Sequence, residues 1–510
     1  MENKKILSIL ILIILLGLFL RIVDIGDESF WADEAATVYT TQQKPHEIIE
    51  DIYTTTIHAP EYYDTGGTPP FYFLLANYWT SLLGLSETKL RLLSALSGVI
   101  SIYILFLIGK AIFNYRVGLV SAFIFSINYL HIYFSQEARP YSLGVLLTLL
   151  SVYFLFEALN QKKKIFWFAY ILSSALLIYT HYFGFFILMF EYLFLLIFWK
   201  TYRESFKSAI FSGIGIFVLY LPWIPALLRQ VSGRNFGGEF LSSNLAWSFA
   251  KIFVQFNSWL NPDFETRIGL RNVYHSLGDY SNINLFDVSF VGWITVLSVL
   301  LLTLLMGWSF IMGVFTKNKK LSRDNVKDKK YSFLLLWFLV PIVVPIIISL
   351  LFPGSPIFGP VKYVIFASLG YYLIVSKGIL KSRKSLTILI LLVALSTLPL
   401  YSYYANFDKQ QWRETADYLG NNREVSEPVF VNIHTHVLAL IYYYDKENVV
   451  GIRNVDEFSE NINQEDSFWF IYTSERYGDP EGTLKKYLDE NYSIEEENEF
   501  VGIKISHYVS

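Results

Sequence analysis

Two adjacent carboxylates, Asp33 and Glu34, stand where an apolar N-terminal stretch gives way to a polar segment. Such a pair can act as a general base, can ligate a metal ion, or can form part of a solvated acidic turn. Apolar side chains flank the pair on both sides, in Ser29-Phe-Trp-Ala-Asp-Glu-Ala-Ala36, and they favour its partial burial. Because half-buried acidic pairs are candidate functional sites, the sequence predicts catalytic carboxylates here.

A second group of charged residues lies at the boundaries of apolar runs. Ser135-Gln-Glu-Ala-Arg-Pro-Tyr-Ser142 places Glu137 and Arg139 between two such runs. These side chains can form an ion pair that closes a tight turn, and Arg139 can also bind a phosphate in bidentate geometry. Lys362, which opens another run, suits an anionic lipid headgroup. His181, in Tyr179-Thr-His-Tyr-Phe-Gly184, is either hydrogen-bonded scaffolding or a polar contact in a site.

Metal-ligand side chains occur in the loop that follows the acidic pair. His58 and Asp64 precede Thr65-Gly-Gly-Thr-Pro-Pro70, but their spacing matches no standard metal site. The chain has no cysteine, which excludes disulfides, thiolate metal sites and a cysteine nucleophile. We therefore expect that no cofactor is required, and a divalent metal ion at these residues stays open as a less favoured alternative.

Composition identifies the class of protein. Hydrophobic residues make up 53% of the 510 and charged residues only 17%, with a mean hydropathy of +0.39. These values are typical of a polytopic membrane protein and exclude a nucleic-acid-binding function. Aromatic residues, at 18%, are frequent near the ends of the apolar runs, as expected for interfacial belts.

Eleven apolar segments approach or reach the length of about 20 residues that a membrane-spanning helix needs. They lie near 6–23, 90–109, 117–134, 141–159, 165–180, 183–199, 208–224, 288–315, 331–351, 363–376 and 385–401. A cytoplasmic N-terminus places the basic clusters in the inner loops, as the positive-inside rule requires. Arg21 closes the first segment as it would in an uncleaved anchor, and residues 71–84, too short to cross, should lie along the interface.

This orientation predicts a transmembrane domain over 1–401, with outer loops at 24–89 and 225–287, and an outer domain over 402–510. In the outer domain the pattern alternates between helix and strand. We expect helices at Gln411–Leu419 and Val437–Tyr444, and strands at Pro428–Asn432 and Ser467–Tyr472. We therefore predict a small extracytoplasmic α/β domain in a multi-pass protein of the cell membrane. The acidic run Glu495–Glu499 should form a solvated face.

Five segments together resemble the GT-C glycosyltransferases, in particular family 39, which includes the protein mannosyltransferases and aminoarabinose transferases. The segments are Trp31-Ala-Asp-Glu-Ala35, Pro69-Pro70, Arg91-Leu-Leu-Ser-Ala95, Gln136-Glu-Ala-Arg-Pro-Tyr141 and Thr180-His-Tyr-Phe-Gly184. The order of these segments and the outer-face placement make the resemblance fairly specific.

The resemblance implies transfer of a sugar from a polyprenyl-phosphate or dolichyl-phosphate carrier to a hydroxyl of a protein, lipid or glycan, with inversion at the anomeric carbon. Asp33 matches the catalytic base, and Glu34 would support it or orient the acceptor. The donor phosphate would bind Arg139 and Lys362, with Tyr141 and Gln136 beside them. Further site candidates are Arg91, Glu137, His181, His58 and Asp64.

Two other functional classes fit a polytopic chain with charged residues at membrane boundaries. One is a transporter or flippase for a lipid-linked sugar or small solute, which would usually show paired repeats and broken helices. The other is a non-catalytic surface-assembly protein whose outer domain binds a partner. The chain has no internal repeat, and its large outer loops favour an enzyme.

Overall fold

The computed structural model divides the chain into two compact units. Unit 1 comprises Met1–Val23, Thr68–Tyr72 and Arg91–Ser402, and unit 2 comprises Asp24–Gly67, Phe73–Leu90 and Tyr403–Ser510. Most of the first outer loop therefore groups with the C-terminal segment, which differs from the expected boundary after residue 401. The described residues are 2–54, 68–232, 245–258, 290–315, 329–352, 361–406, 409–424, 426–444, 447–462, 467–473, 478–479 and 481–510.

Helices and strands are numbered here in chain order. The α-helices are α1 (Glu2–Ile22), α2 (Ala32–Thr41), α3 (Pro45–Thr54), α4 (Phe71–Leu83), α5 (Glu87–Ile112), α6 (Tyr115–Ile127), α7 (Tyr129–Ser135), α8 (Tyr141–Gln161), α9 (Lys164–Ile178), α10 (Gly184–Ile197), α11 (Arg203–Tyr220), α12 (Ile224–Ser232), α13 (Leu245–Asn257), α14 (Phe290–Val314), α15 (Lys329–Leu351), α16 (Val361–Val364), α17 (Ser368–Lys381), α18 (Ser385–Ala405), α19 (Trp412–Asn422), α20 (Val437–Tyr443), α21 (Val455–Asn461) and α22 (Thr483–Asn491). Short 3-10 helices cover Leu221–Trp223, Ile365–Ala367 and His434–His436. The strands are β1 (Val429–Val431), β2 (Val449–Gly451), β3 (Ser467–Thr473), β4 (Ser493–Phe500) and β5 (Ile503–Val509).

The predicted apolar segments coincide with helices of the model. Within the described residues, eight helices are long and apolar enough to cross a membrane, or nine if the bent pair α6 and α7 is one span. The two other predicted spans correspond to α9 and α10, which have only 15 and 14 residues. A polytopic helical membrane protein is therefore confirmed, whereas eleven complete crossings stay a prediction because α9 and α10 fall short of the bilayer thickness.

Close helix packing in unit 1 depends on small residues. Helices α14 and α17 approach closely at Gly313 of α14 and Gly378 of α17. A Cβ on Gly378 would lie 1.7 Å from the carbonyl oxygen of Ser309. A Cβ on Gly313 would lie 2.2 Å from the carbonyl oxygen of Ile374. Without a hydrophobic driving force between helices in lipid, such close backbone approach supplies the packing that holds α14 and α17 together.

Arg21 has a different environment from the membrane-boundary position expected for it. Its side chain is fully buried in unit 1, at the 61° bend between α6 and α7. The guanidinium donates to the carbonyl oxygens of Phe125 (3.2 Å) and Ser126 (3.0 Å) and to the hydroxyl of Ser135 (3.2 Å). The bend removes the helical partners of carbonyls at the end of α6, and Arg21 replaces them.

Replacing Arg21 by Met should destabilise unit 1 by about 3 kcal/mol or more, because each buried carbonyl left unsatisfied costs roughly 1–3 kcal/mol. The measurement is the thermal unfolding midpoint of the detergent-solubilised protein. Arg203→Met, at an exposed position at the start of α11, is the matched control and should leave the midpoint unchanged. An Arg21→Met midpoint equal to that of the parent would show that Arg21 is not needed at the bend.

Unit 2 contains a five-stranded sheet in the order β2-β1-β3-β5-β4. β1 pairs in parallel with β2 and β3, and β5 pairs antiparallel with β3 and β4. The predicted helices and strands of this segment are confirmed as α19, β1, α20 and β3, so a small mixed α/β domain is present. The acidic run Glu495–Glu499 forms a solvated face as expected, and it belongs to the edge strand β4.

Both faces of the sheet are covered because side chains alternate along its strands. Val429 and Val431 of β1 enter one apolar cluster, and Phe430 between them enters the other. The first cluster contains Trp412 of α19 together with Ala35 and Ala36 of α2. The segment with the acidic pair is thus part of the core of unit 2, which fixes the position of α2 relative to the sheet.

Candidate active site

Asp33 and Glu34 form the first turn of α2 and differ in exposure. The residue before the helix, Trp31, has an extended backbone, and the two carboxylates follow at the positions where the helix dipole favours negative charge. Asp33 is partly exposed, whereas Glu34 is completely buried. Only the first carboxylate is therefore accessible to a substrate, because a helix turns successive side chains in different directions.

Glu34 forms an ion pair inside unit 2. The Nζ atom of Lys409 donates to its Oε2 atom at 3.2 Å, and both side chains are at most 2% exposed. A buried pair of this kind is costly to break, since removing one partner leaves an uncompensated charge in the protein interior. Glu34 therefore has a structural partner, which fits a supporting role and does not fit direct contact with an acceptor.

His436 is a further residue beside Asp33 that the sequence pattern did not single out. It lies in the 3-10 helix after β1, with its ring centroid 5.9 Å from that of Trp412. Burial lowers the pKa of the imidazole to about 4, and the nearby Asp33 carboxylate acts in the opposite direction. The ring is neutral at pH 7. The sequence signal that could have identified His436 is its position just after the parallel strand β1, because polar sites often form at the carboxyl ends of such strands.

The predicted cations of unit 1 converge around an aromatic group. The Lys362 ammonium in α16 lies 5.6 Å from the ring centroid of Tyr141, the first residue of α8. The His181 ring lies 5.9 Å from that of Tyr141 and 5.6 Å from that of Tyr363. Arg139, two residues before Tyr141, is buried. We call Arg139, Tyr141, His181 and Lys362 the cation cluster.

His181 is a neutral hydrogen-bond donor within the cation cluster. Burial, followed by the positive charges of Lys362 and Arg139, lowers the pKa of its imidazole to about 3. Its Nδ1 atom accepts a hydrogen bond from the backbone N–H of Phe183 at 3.1 Å. The single proton of the neutral ring therefore resides on Nε2. Two permanent cations and one neutral N–H group together suit a phosphate ester.

Other predicted residues hold the segment that carries Arg139. The Gln136 side chain donates to the carbonyl oxygen of Val23 at 2.7 Å, so its amide group has a structural partner. Ser94 donates to the carbonyl oxygen of Arg139 at 3.3 Å. Glu137 is buried in the same segment, and Arg91 is buried in α5. The hydrogen bonds of Gln136 and Ser94 position the turn before α8.

His58 and Asp64 lie outside the described residues. Within the part of the chain that the structure describes, His, Asp and Glu side chains form no group of three or more that could hold a metal ion. The carboxylate pair belongs to unit 2 and the cation cluster to unit 1.

Part of the chain matches a known protein family. Residues 67–228 match the family described as dolichyl-phosphate-mannose-protein mannosyltransferase. The matched segment includes four of the five segments that carry the resemblance in the sequence, all except Trp31-Ala-Asp-Glu-Ala35. The similarity to this family covers about a third of the chain.

A relative and several solved structures are similar to this chain. An uncharacterized protein from Aquifex aeolicus (strain VF5) is 26% identical over 255 residues, and the match spans about half of each chain, at 48%. Archaeal oligosaccharyltransferase AglB from Archaeoglobus fulgidus, in complex with an inhibitory peptide and a dolichol-phosphate, is similar over 93% of this chain and 70% of its own, at 12% identity and a TM-score of 0.58. ArnT from Cupriavidus metallidurans, bound to undecaprenyl phosphate, is similar over 98% of this chain and 97% of its own, at 14% identity and a TM-score of 0.46. The likeness to AglB shows a common fold.

Proposed function

We propose that this protein transfers a sugar from a polyprenyl-phosphate carrier to an acceptor hydroxyl on the outer face of the cell membrane. The observation that carries the proposal is the cation cluster: the Lys362 ammonium and the neutral His181 imidazole lie beside the Tyr141 ring, and the buried Arg139 guanidinium lies close enough to His181 to lower its pKa. These groups suit the phosphate of the carrier before the reaction and, more strongly, the additional charge that appears on it when the sugar leaves.

The reaction is a single displacement. Asp33 accepts the proton of the acceptor hydroxyl, whose oxygen forms a bond to the anomeric carbon as the bond from that carbon to the phosphate oxygen breaks. The bonding electron pair leaves with the lipid phosphate, which Arg139 and Lys362 stabilise. Attack on the face opposite the leaving group inverts the configuration at the anomeric carbon.

Glu34 supports Asp33 through the fold and not through the substrate. Its buried ion pair with Lys409 holds the first turn of α2 in place, and this fixes the position of the Asp33 backbone. The phosphate leaving group already carries charge, and for this reason we propose a reaction that needs no metal ion. The acceptor is a hydroxyl of a protein, a lipid or a glycan.

The proposed orientation has the N-terminus in the cytoplasm and unit 2 outside. The basic residues support it, because Lys162–Lys164, Lys200 and Lys207 then lie on the inner face. Asp33, in unit 2, then acts on an acceptor that arrives from the outer side.

The full-length protein in lipid nanodiscs tests this function. Undecaprenyl phosphate carrying a radiolabelled sugar, from a panel of hexoses and aminosugars, is incubated with cell-surface proteins, glycans and lipids. Nucleotide-linked forms of the same sugars serve as controls. We expect label in an acceptor and equimolar free undecaprenyl phosphate from one lipid-linked donor, and none from the nucleotide donors. Label that crosses a proteoliposome bilayer without transfer would instead identify a flippase. Binding without transfer or crossing would identify an assembly protein.

A further inference from the structure

A second cationic site lies in unit 1, away from the cation cluster. It is a cavity of about 320 Å3 formed by the C-terminal ends of α8 and α10, the turn after α10 and the first residues of α15. Its polar wall contains Asn160, Tyr202, Lys329 and Lys330, and aromatic rings such as Phe194 and Phe333 form the apolar part. One cavity thus offers both positive charge and an apolar surface.

The positive charge of this cavity has three sources. Lys329 lies 5.8 Å from the ring centroid of Tyr202, a cation–π distance that holds the ammonium at the wall. Lys330 follows it, and both residues belong to the first turn of the 23-residue helix α15, whose dipole adds positive potential there. The described residues that line the cavity include no carboxylate.

The distance from the cation cluster shows that a different ligand is needed. Helix α8 begins at Tyr141, in the cation cluster, and ends at Gln161, next to the cavity residue Asn160. Its 21 residues at about 1.5 Å each separate the two sites by roughly 30 Å, the thickness of the hydrocarbon layer. One headgroup cannot occupy both sites, and a ligand of this cavity belongs to the opposite leaflet.

We infer that the cavity binds an anionic phospholipid, with its phosphate at Lys329 and Lys330 and its acyl chains along Phe194 and Phe333. The pairing of cations with aromatic and aliphatic surface at a helix end is the arrangement that an amphiphile with a negative headgroup requires. The inference does not depend on the proposed sugar transfer.

Native mass spectrometry of the detergent-solubilised full chain tests the site without any sugar donor. Phosphatidylglycerol and phosphatidylcholine of equal chain length are titrated against the parent and against Lys329→Gln/Lys330→Gln. We expect the parent to bind phosphatidylglycerol more tightly, and the double variant to lose roughly 30-fold in its affinity, since each lysine near an anionic headgroup contributes about 1 kcal/mol.

The matched control is Lys163→Gln/Lys164→Gln, which removes the same charge from two exposed residues outside the cavity lining. Its affinity should equal that of the parent. Equal losses in both double variants, equal binding of phosphatidylcholine, or displacement of the lipid by millimolar inorganic phosphate would overturn the inference. If Lys329→Gln/Lys330→Gln does not fold, the single variant Lys330→Gln, at an exposed position, replaces it. This variant should weaken phosphatidylglycerol binding about fivefold. Parental affinity of Lys330→Gln for phosphatidylglycerol would also overturn the inference.

Discussion

Asp33→Asn should lower the turnover number for sugar transfer by about 100- to 10,000-fold, the range that a positioned general base contributes. The amide has nearly the same shape but cannot accept the acceptor's proton, so binding of the lipid-linked donor should be unchanged. The stability of α2 should fall only slightly, because the lost charge–dipole interaction is worth about 0.3–1 kcal/mol. Initial rates at saturating donor, measured in nanodiscs, give the turnover number directly.

The control for this variant is Asp456→Asn, which makes the same change in the first turn of α21 at an exposed position of unit 2. It should retain the parental rate. Glu34→Gln should behave differently from both, because it leaves Lys409 buried without its counter-charge. We expect it to lower folded yield and the unfolding midpoint. Parental turnover by Asp33→Asn would show that Asp33 is not the base.

Arg139→Gln should lower kcat/KM for the lipid-linked donor by about 100- to 1000-fold. The guanidinium is proposed to stabilise charge that develops on the departing phosphate, and removal of one such group from a transition state typically has an effect of this size. Arg139→Lys should recover part of the loss, since it restores the charge without the planar fork. Rates measured over a range of donor concentrations separate the effect on kcat from that on KM.

Arg116→Gln is the matched control, an exposed arginine near the ring of Tyr115 at the start of α6. Its kcat/KM should equal that of the parent.

The His181 ring is already neutral, because its pKa lies near 3, so the rate should show no step from His181 between pH 5 and 8. If Arg139→Gln retained the parental kcat/KM, the lipid phosphate would have to bind elsewhere.

Local sequence patterns predicted the helices well. The apolar runs correspond to helices because a bilayer span requires a long continuous apolar stretch, which is visible in any window of the chain. The short strand Val429–Val431 and helix α20 were predicted for the same reason, since their periodicity is local. β2, β4 and β5 were missed. β2 has only three residues, and β4 is an exposed edge strand that lacks the alternation of a half-buried strand.

Local sequence patterns could not predict the partners of the candidate site residues. Glu34 and Lys409 are 375 residues apart in the chain, and nothing local in either segment reports the other. Arg21 looked like a membrane-boundary cation because it ends an apolar run, yet the bend between α6 and α7 draws it into the interior. The grouping of residues 24–67 with the C-terminal segment depends on the packing of Ala35 and Ala36 against Trp412.

The sequence by itself determined the membrane class, the positions of the apolar helices and the mixed α/β character of the last hundred residues, because each of these depends on local composition and local periodicity. Only the tertiary structure decided that Asp33 and Glu34 are unequal. One carboxylate is neutralised in the core by a lysine from the distant C-terminal segment, and the other is left partly exposed beside His436. Burial and ion pairing depend on what the rest of the chain brings to a residue, and no local pattern carries that information.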